Sequence, residues 1–285
     1  MKRKSIKLLT IALLFGFMAF QAKAQIQTPR PSPMVKIEQE FGLGKITLDY
    51  SRPSVKGRTV FGELVPYDAV WRTGANGATT ITFTDDVKVE GTAVSAGTYA
   101  LYTIPGKTSW SVMLYKDLSL GGNTAGYNKE NEIARFTVKP QELPFSVETM
   151  TMEIGNLKDA SATLMIYWDK VLVGVNITTD VDAKVMAAID AAMGGPSGGE
   201  YWAAANYYYA NDKDINKALE WVNKAIEMNG NAPYWMLTAQ ARIMKKAGKK
   251  ADALKVAKVA LEKAEAAKNQ NYIDENKAMI KELSK

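Results

Sequence analysis

Residues 78–115 read ATTITFTDDVKVEGTAVSAGTYALYTIPGKTSWSVMLY. Ile81 and Phe83 alternate with threonines, Asp85 and Asp86 supply turn chemistry, and Val87 and Val89 run to a second turn at Glu90 and Gly91. Residues 99–104 make the next run, Pro105 and Gly106 turn it, and Trp110, Val112 and Leu114 resume the period of two. Short alternating runs bounded by turn residues are the pattern of antiparallel strands, because successive side chains of a strand point to opposite faces. A βαβ arrangement would place longer 3.6-period segments between them.

Working outward, Val35, Ile37 and Phe41 face Ile46, Leu48 and Tyr50 across Gly42, Leu43 and Gly44, which reads as a hairpin. Downstream lie runs at 133–138, 146–154 and 162–168, the last turning at Asp169 and Lys170 into Val171, Val173, Val175 and Ile177. The expectation for residues 35–178 is an antiparallel β-sandwich of about ten strands, more than one open sheet readily holds. Residues 118–131, LSLGGNTAGYNKEN, carry no period and read as a long exposed loop.

Both ends of the chain read differently. Lys2, Arg3, Lys4 and Lys7 precede an apolar run at 8–20 and then Ala22-Lys23-Ala24, the layout of a secretory signal cleaved after Ala24. The run has 13 residues, short of the roughly 17–25 that span a bilayer. The expected location is the periplasm of a Gram-negative bacterium, or outside the cell, without stable membrane insertion. Residues 25–34, with three prolines, form an extended leader.

Beyond the sandwich, Asp180 offers an N-cap to a connecting helix at 179–193, and the glycines of 194–199 read as a flexible linker. In residues 200–285, Trp202, Ala205, Tyr209, Ala218, Val222 and Ala225 recur 35 residues on as Leu237, Gln240, Met244, Ala253, Ala257 and Ala260. A helix-turn-helix unit of about 34 residues resembles the tetratricopeptide repeat, although the second copy departs from it at Gln240 and Ala241. The expectation is an all-α helical-repeat domain that receives a protein partner. Tyr208 is the candidate partner-binding residue, because Trp202 and Tyr209, seven apart, are expected to share the buried face.

Composition excludes several chemistries. The chain has no Cys and no His, so thiolate nucleophiles, disulfides, imidazole bases and imidazole-ligated metals are all ruled out. The formal charge of +6 is concentrated in the signal segment, which holds five of the 36 basic residues and none of the 30 acidic ones, leaving +1 beyond it. That balance is no footprint for nucleic acid.

Residues 51–76, SRPSVKGRTVFGELVPYDAVWRTGAN, interrupt the strands with four cations, two prolines and three glycines. The candidate ligand-binding residues are Arg52, Lys56, Arg58, Tyr67, Trp71, Arg72 and Asn76, converging on a glycan or an anionic small molecule through guanidinium contacts and stacking. A scaffold reading stands beside it. In that reading Arg52 and Arg58 pair with Asp49, Glu63 or Asp68, the prolines fix the loop, and Phe61 and Trp71 plug the end of the sandwich. Asp85, Asp86 and Glu90 are read as hairpin-turn chemistry and not as a metal or glycosidase site.

The motifs SRPSVKGR at 51–58, FGELVPY at 61–67, VWRTGAN at 70–76 and AGTYALYTIPG at 96–106 resemble the bacterial envelope family called domain of unknown function 2911. The resemblance runs from about residue 33 to residue 177. It implies a single β-rich domain, an export context, and Arg52, Lys56, Arg58, Trp71, Arg72 and Asn76 as motif positions, and it names no reaction and no cofactor. The function expected is a non-enzymatic binding or adaptor protein. The alternatives are a carboxylate-dependent hydrolase or lyase on envelope carbohydrate, and a structural envelope component.

Overall fold

The computed structural model describes residues 28–285. The expected signal peptide and the first residues of the leader lie outside the described residues. Two compact units divide the chain, the first ending at Thr179 and the second being Asp180–Lys285.

The first unit is all-β. Its strands are β1 (Met34–Phe41), β2 (Gly44–Ser51), β3 (Thr79–Phe83), β4 (Val87–Val89), β5 (Thr92–Val94), β6 (Gly97–Ile104), β7 (Trp110–Tyr115), β8 (Glu132–Val138), β9 (Gln141–Lys158) and β10 (Ser161–Thr178). They form a six-stranded sheet ordered β1-β2-β3-β6-β7-β8 and a four-stranded sheet ordered β5-β4-β10-β9, antiparallel throughout. Ile46, Leu48, Ile81, Phe83, Leu101, Trp110 and Val112 from the larger sheet share one buried core with Met150, Met152, Leu164, Ile166, Trp168 and Val175 from the smaller. Tyr50 on β2 ties the sheets polar-to-polar, its hydroxyl accepting from Met152 N at 2.7 Å.

The strand count of ten agrees with expectation, for partly compensating reasons. No turn exists at Asp169 and Lys170, and β10 runs through. Its buried positions switch from even numbers (Ala162, Leu164, Ile166, Trp168) to odd ones (Val173, Val175, Ile177) across Asp169, whose φ is 49°. Bulges in the β9–β10 ladder flank Asp169. A bulge resets the alternation by one residue, and in sequence that looks like the end of one strand and the start of another. The strand gained is β5, only three residues long, folded back on β4 across Glu90 and Gly91 with φ of 45° and 80°.

Residues 118–131 are not a featureless exposed loop. Three 3-10 turns, Leu118–Leu120, Thr124–Gly126 and Lys129–Asn131, are each capped by an Asp or Asn side chain. Leu120 and Tyr127 pack on Ala100, Tyr102, Met113 and Tyr115, the outward face of β6 and β7. Tyr127 stacks on Tyr115 at 4.7 Å, and the Tyr102 hydroxyl donates to Gly121 O at 2.7 Å. Burial pushes the Tyr102 phenol up to about 12, so the neutral phenol belongs to the folded state. Its stabilising contribution is complete below about pH 10 and is lost as pH rises from about 10 to about 12. Urea titrations across that window should show the β unit weakening with pH, and Tyr102→Phe should flatten the dependence. Equal slopes for both proteins would refute the assignment.

The second unit holds six helices: α1 (Val181–Ala192), α2 (Gly198–Ala210), α3 (Ile215–Asn229), α4 (Tyr234–Lys246), α5 (Lys250–Ala266) and α6 (Gln270–Leu283). Consecutive helices pack in pairs through small residues. Ala218 and Val222 on α3, and Ala253 and Ala257 on α5, are fully buried at matching 35-residue offsets. α1 is no mere connector, since Val185, Met186 and Ile189 join the core of α2 and α3, and Asp182 accepts from the Tyr207 hydroxyl and Lys213. The expected glycine linker is shorter than its composition suggests. Gly198 and Gly199 form the first turn of α2, behind a capping box of Ser197 and Glu200.

Tyr208 corrects the surface expectation for α2. It is only 5 % exposed and meets the Trp221 ring at 4.7 Å, whereas Trp202 and Tyr209 are half-buried. The buried positions of α2 are Ala204, Ala205 and Tyr208. Two alanines set that face, and a large aromatic one turn on fills the space they leave toward α3.

Candidate functional site

Between β2 and β3 the chain makes the excursion at 51–76, and four of its residues other than glycine lie at left-handed φ: Lys56 (50°), Asp68 (58°), Thr73 (53°) and Asn76 (61°). For a β-branched residue this region is sterically costly, so Thr73 must be held there by its surroundings. It is fully buried, its carbonyl accepts from Thr79 Oγ1 at 2.6 Å, and its hydroxyl meets Thr103 Oγ1 at 3.1 Å. Trp71 just before it bridges to Thr103 through both backbone bonds, 2.7 and 2.9 Å. Its indole donates to Gly74 O at 3.1 Å, and its ring stacks on Trp168 at 5.8 Å with Phe61 edge-on. The 71–74 backbone is thereby rigid, which fixes where Arg72 leaves it.

The cations divide by task. The Arg52 guanidinium is spent on the opposite sheet, donating to Met150 O at 2.9 Å and Thr151 Oγ1 at 2.6 Å, where β9 bulges toward residues 53–55. Arg58 donates to Val55 O (3.0 Å) and Ser54 O (2.6 Å). Arg72 donates through Nη1 to Gly122 O at 2.9 Å, across 50 residues of sequence. The scaffold reading's carboxylate pairs do not form for Arg52 or Arg58; backbone carbonyls take their place. Lys56 is exposed, and it is its backbone N–H that is held, by Glu148.

Arg58, Trp71 and Arg72 come together along one cleft of about 300 Å³, with Pro53, Leu64, Val65, Pro66 and Val70 as apolar wall. Trp168 of β10, Thr124 of the 118–131 loop and Ser32 of the leader complete it. No Asp or Glu lines it. Among the described residues, two donors shielded from solvent have no acceptor, Arg72 Nε and Trp168 Nε1, and both belong to residues that line this cleft with other atoms. A buried donor left unpaired costs about 1–3 kcal/mol, so two along one cleft are a departure that calls for a cause.

Asn76 lies apart, its amide donating to Ser32 O and Ser51 Oγ at the rim of a wider recess of about 580 Å³ over Asp49 and Thr80. Tyr67 lines neither cleft; Lys107 sits over its ring, 5.8 Å from the centroid. Of the seven candidate residues, three therefore share a site, and Trp168, Thr124 and Gly122 were not anticipated. Gly122 carries a steric signature, because a Cβ there would stand 2.1 Å from Asn76 O, so only glycine lets the loop approach Arg72. Its neighbours in sequence give no hint of that contact.

Residues 32–177, just over half the chain, match the model of a family described as a protein of unknown function (DUF2911). The chain belongs to that family. No curated protein and no solved structure matches it. The cleft lies wholly within the DUF2911 unit, and the SRPSVKGR and VWRTGAN motifs supply its two guanidinium groups. Among the described residues no three Asp or Glu side chains gather at metal-ligand spacing, and Asp86 serves its turn by accepting from Ala96 N at 2.8 Å.

The helical unit has a groove of its own, also about 300 Å³, lined by Trp202, Trp235, Met228 and Met236 with Gly198 and Gly199 at one end. Trp202 and Trp235 meet edge-to-face at 5.1 Å, and Met228 and Trp235 remain 58 % and 39 % exposed. No helix among the described residues is long and apolar enough to cross a membrane.

Proposed function

We propose that this protein is an exported, non-enzymatic binding protein whose DUF2911 unit takes a small anionic ligand and whose tetratricopeptide-like helical unit receives a protein partner. The observation that carries the first half is a cleft lined by the side chains of two arginines, Arg58 and Arg72, and by no carboxylate. Such a cleft favours negative charge and supplies directional donors for it. The hydrolase reading needs a carboxylate or phenol beside the reacting group. Glu63, Tyr67 and Asp68, each adjacent in sequence to a lining residue, do not line the cleft. The lysine-rich, apolar start of the chain and its A-x-A motif support export.

The test is a thermal-shift screen of small anions and glycans on the full chain. A ligand at about a hundred times its Kd stabilises by about 2.7 kcal/mol, roughly 5–10 °C for a unit of this size. The shift is expected to vanish in Arg72→Ala while the ligand-free melting temperature changes by only a few degrees. A shift that survives Arg72→Ala, or a collapse of ligand-free melting, would return the loop to a scaffold role.

For the helical unit, the exposed Trp235 and Met228 beside Trp202 support a groove for an apolar segment of a partner. In-cell cross-linking of the full chain is expected to capture a protein that a chain ending at Thr179 does not. The boundary belongs there because α1 is part of the helical core. Identical capture profiles for the two chains would remove the adaptor role.

A further inference from the structure

We infer that the free edge of β1 is an interface through which two copies of this chain pair antiparallel, the six-stranded sheet of one copy running into that of the other with Ile37 on the two-fold axis. No residue of β1 lines the cleft.

A row of unanswered N–H and C=O groups on a sheet edge is a template for another strand. Of the four edges, β5 has three residues only. β9 is answered at its middle, where Val55 N donates to Glu148 O, Met150 N to Pro53 O and the Arg52 guanidinium to Met150 O. On β8 the two charges, Glu132 and Arg135, pair with each other at 2.6 Å. β1 is different. It pairs with β2 from Met34↔Ser51 to Phe41↔Gly44, and the bond from Arg52 N to Pro33 O fixes the parity: odd residues bond to β2, and even ones turn N–H and C=O outward. Met34, Lys36, Glu38 and Glu40 thus present eight backbone groups, two from each residue. Among the described residues only Glu40 O has a partner, the exposed side-chain amide of Gln39 at 3.0 Å, and a carbonyl can accept a second bond.

The edge is complementary to itself. Antiparallel pairing about a two-fold axis brings all four outward residues into bonded pairs in one register only, with Met34 opposite the partner's Glu40 and Lys36 opposite the partner's Glu38. Sliding the strands by two residues either way sets Lys36 against the partner's Lys36 or Glu38 against the partner's Glu38, and like charges directly opposite destabilise a sheet. The full-length register therefore places the only cation of β1 against a carboxylate twice over. Lys36 has no ion pair within its own copy, although Asp49 lies across from it on β2, and Glu38 is held through Oε1 by the exposed Lys45 at 2.7 Å. On the inner side Ile37 meets the partner's Ile37, and Val35 meets the partner's Gln39. Val35 and Ile37 are only partly buried against the core of one copy, and an added strand covers them, removing apolar surface from water.

Sedimentation of the full chain over a range of concentrations is expected to show a monomer–dimer equilibrium. Lys36→Glu sets like charges opposite each other twice and is expected to weaken the dimer about tenfold or more, and combining it with Glu38→Lys is expected to restore pairing. Lys36→Pro removes an outward N–H and leaves the bonds to β2, so it is expected to give a monomer with an unchanged far-ultraviolet dichroism spectrum. The chain has no cysteine, so single cysteines report the register. Ile37→Cys brings two Cα atoms to about 4.5 Å across the axis and is expected to form an intermolecular disulfide under mild oxidation, whereas Val35→Cys is not. A monomer up to the limit of solubility would overturn the pairing and leave Lys36, Glu38 and Glu40 as charges that guard an edge. A dimer indifferent to Lys36→Glu and Lys36→Pro, or cross-linked as readily through residue 35 as through residue 37, would overturn it too.

Discussion

Trp110→Ala is expected to lower the stability of the β unit by about 3–5 kcal/mol, the loss seen when a large aromatic is cut back to Ala in a core that cannot collapse. Trp110 is 2 % exposed, begins β7, and meets Phe61 at 5.0 Å and Trp71 at 6.3 Å, both edge-on. Trp71 in turn stacks on Trp168. The four rings are the joint through which the 51–76 excursion is seated on both sheets, so the void would open beneath the cleft itself. Calorimetry should show the β-unit transition falling by about 10 °C or more, and any Arg72-dependent anion binding should weaken with it. A loss below about 1 kcal/mol would mean that neighbouring rings close the gap and that the excursion does not depend on this joint.

Ala257→Leu is expected to destabilise the helical unit by about 1–3 kcal/mol through overpacking. Ala253, Ala257, Ala260 and Ala264 form the buried stripe of α5, and Ala257 meets Ala241 of α4 and Met279 of α6 in one cluster. Ala241 and Ala257 are both fully buried, leaving no room for an isobutyl group between the helices. Leu and Ala are both strong helix formers, so the loss reports packing and not propensity. Ala251→Leu, at an exposed position of the same helix, is the control and should lie within about 0.5 kcal/mol of the unaltered protein. Equal effects at 251 and 257 would contradict close helix approach. Because each unit has its own core, the β-unit transition should stay where it is.

The two variants probe what could be read from the chain and what could not. Alternation such as Ile81, Phe83 and the 35-residue recurrence at Ala218 and Ala253 are local or repeated signals, and they led to a β unit followed by a helical one. Asp169 misled for an equally local reason, since a bulge and a turn produce the same phase break. Tyr208 misled because seven-residue spacing identifies a shared face without saying which face is covered, and the neighbouring Ala204 and Ala205 decided that.

By itself, then, the amino-acid order determined the fold class, the division into two units, the exclusion of thiol and imidazole chemistry and the stretch in which function was to be sought. Periodicity and composition are properties of short segments, and short segments suffice for those conclusions. Only the tertiary structure decided which cations of that stretch line the cleft and which do not. Arg52 resembles Arg58 and Arg72 in sequence, but its acceptors lie on β9 and it does not line the cleft that the other two share. The other walls of the cleft, Trp168 and the Gly122–Thr124 loop, arrive from strands folded much later in the chain. Whether a donor is answered depends on what the fold brings within about 3 Å of it, and no local pattern of residues encodes that distance.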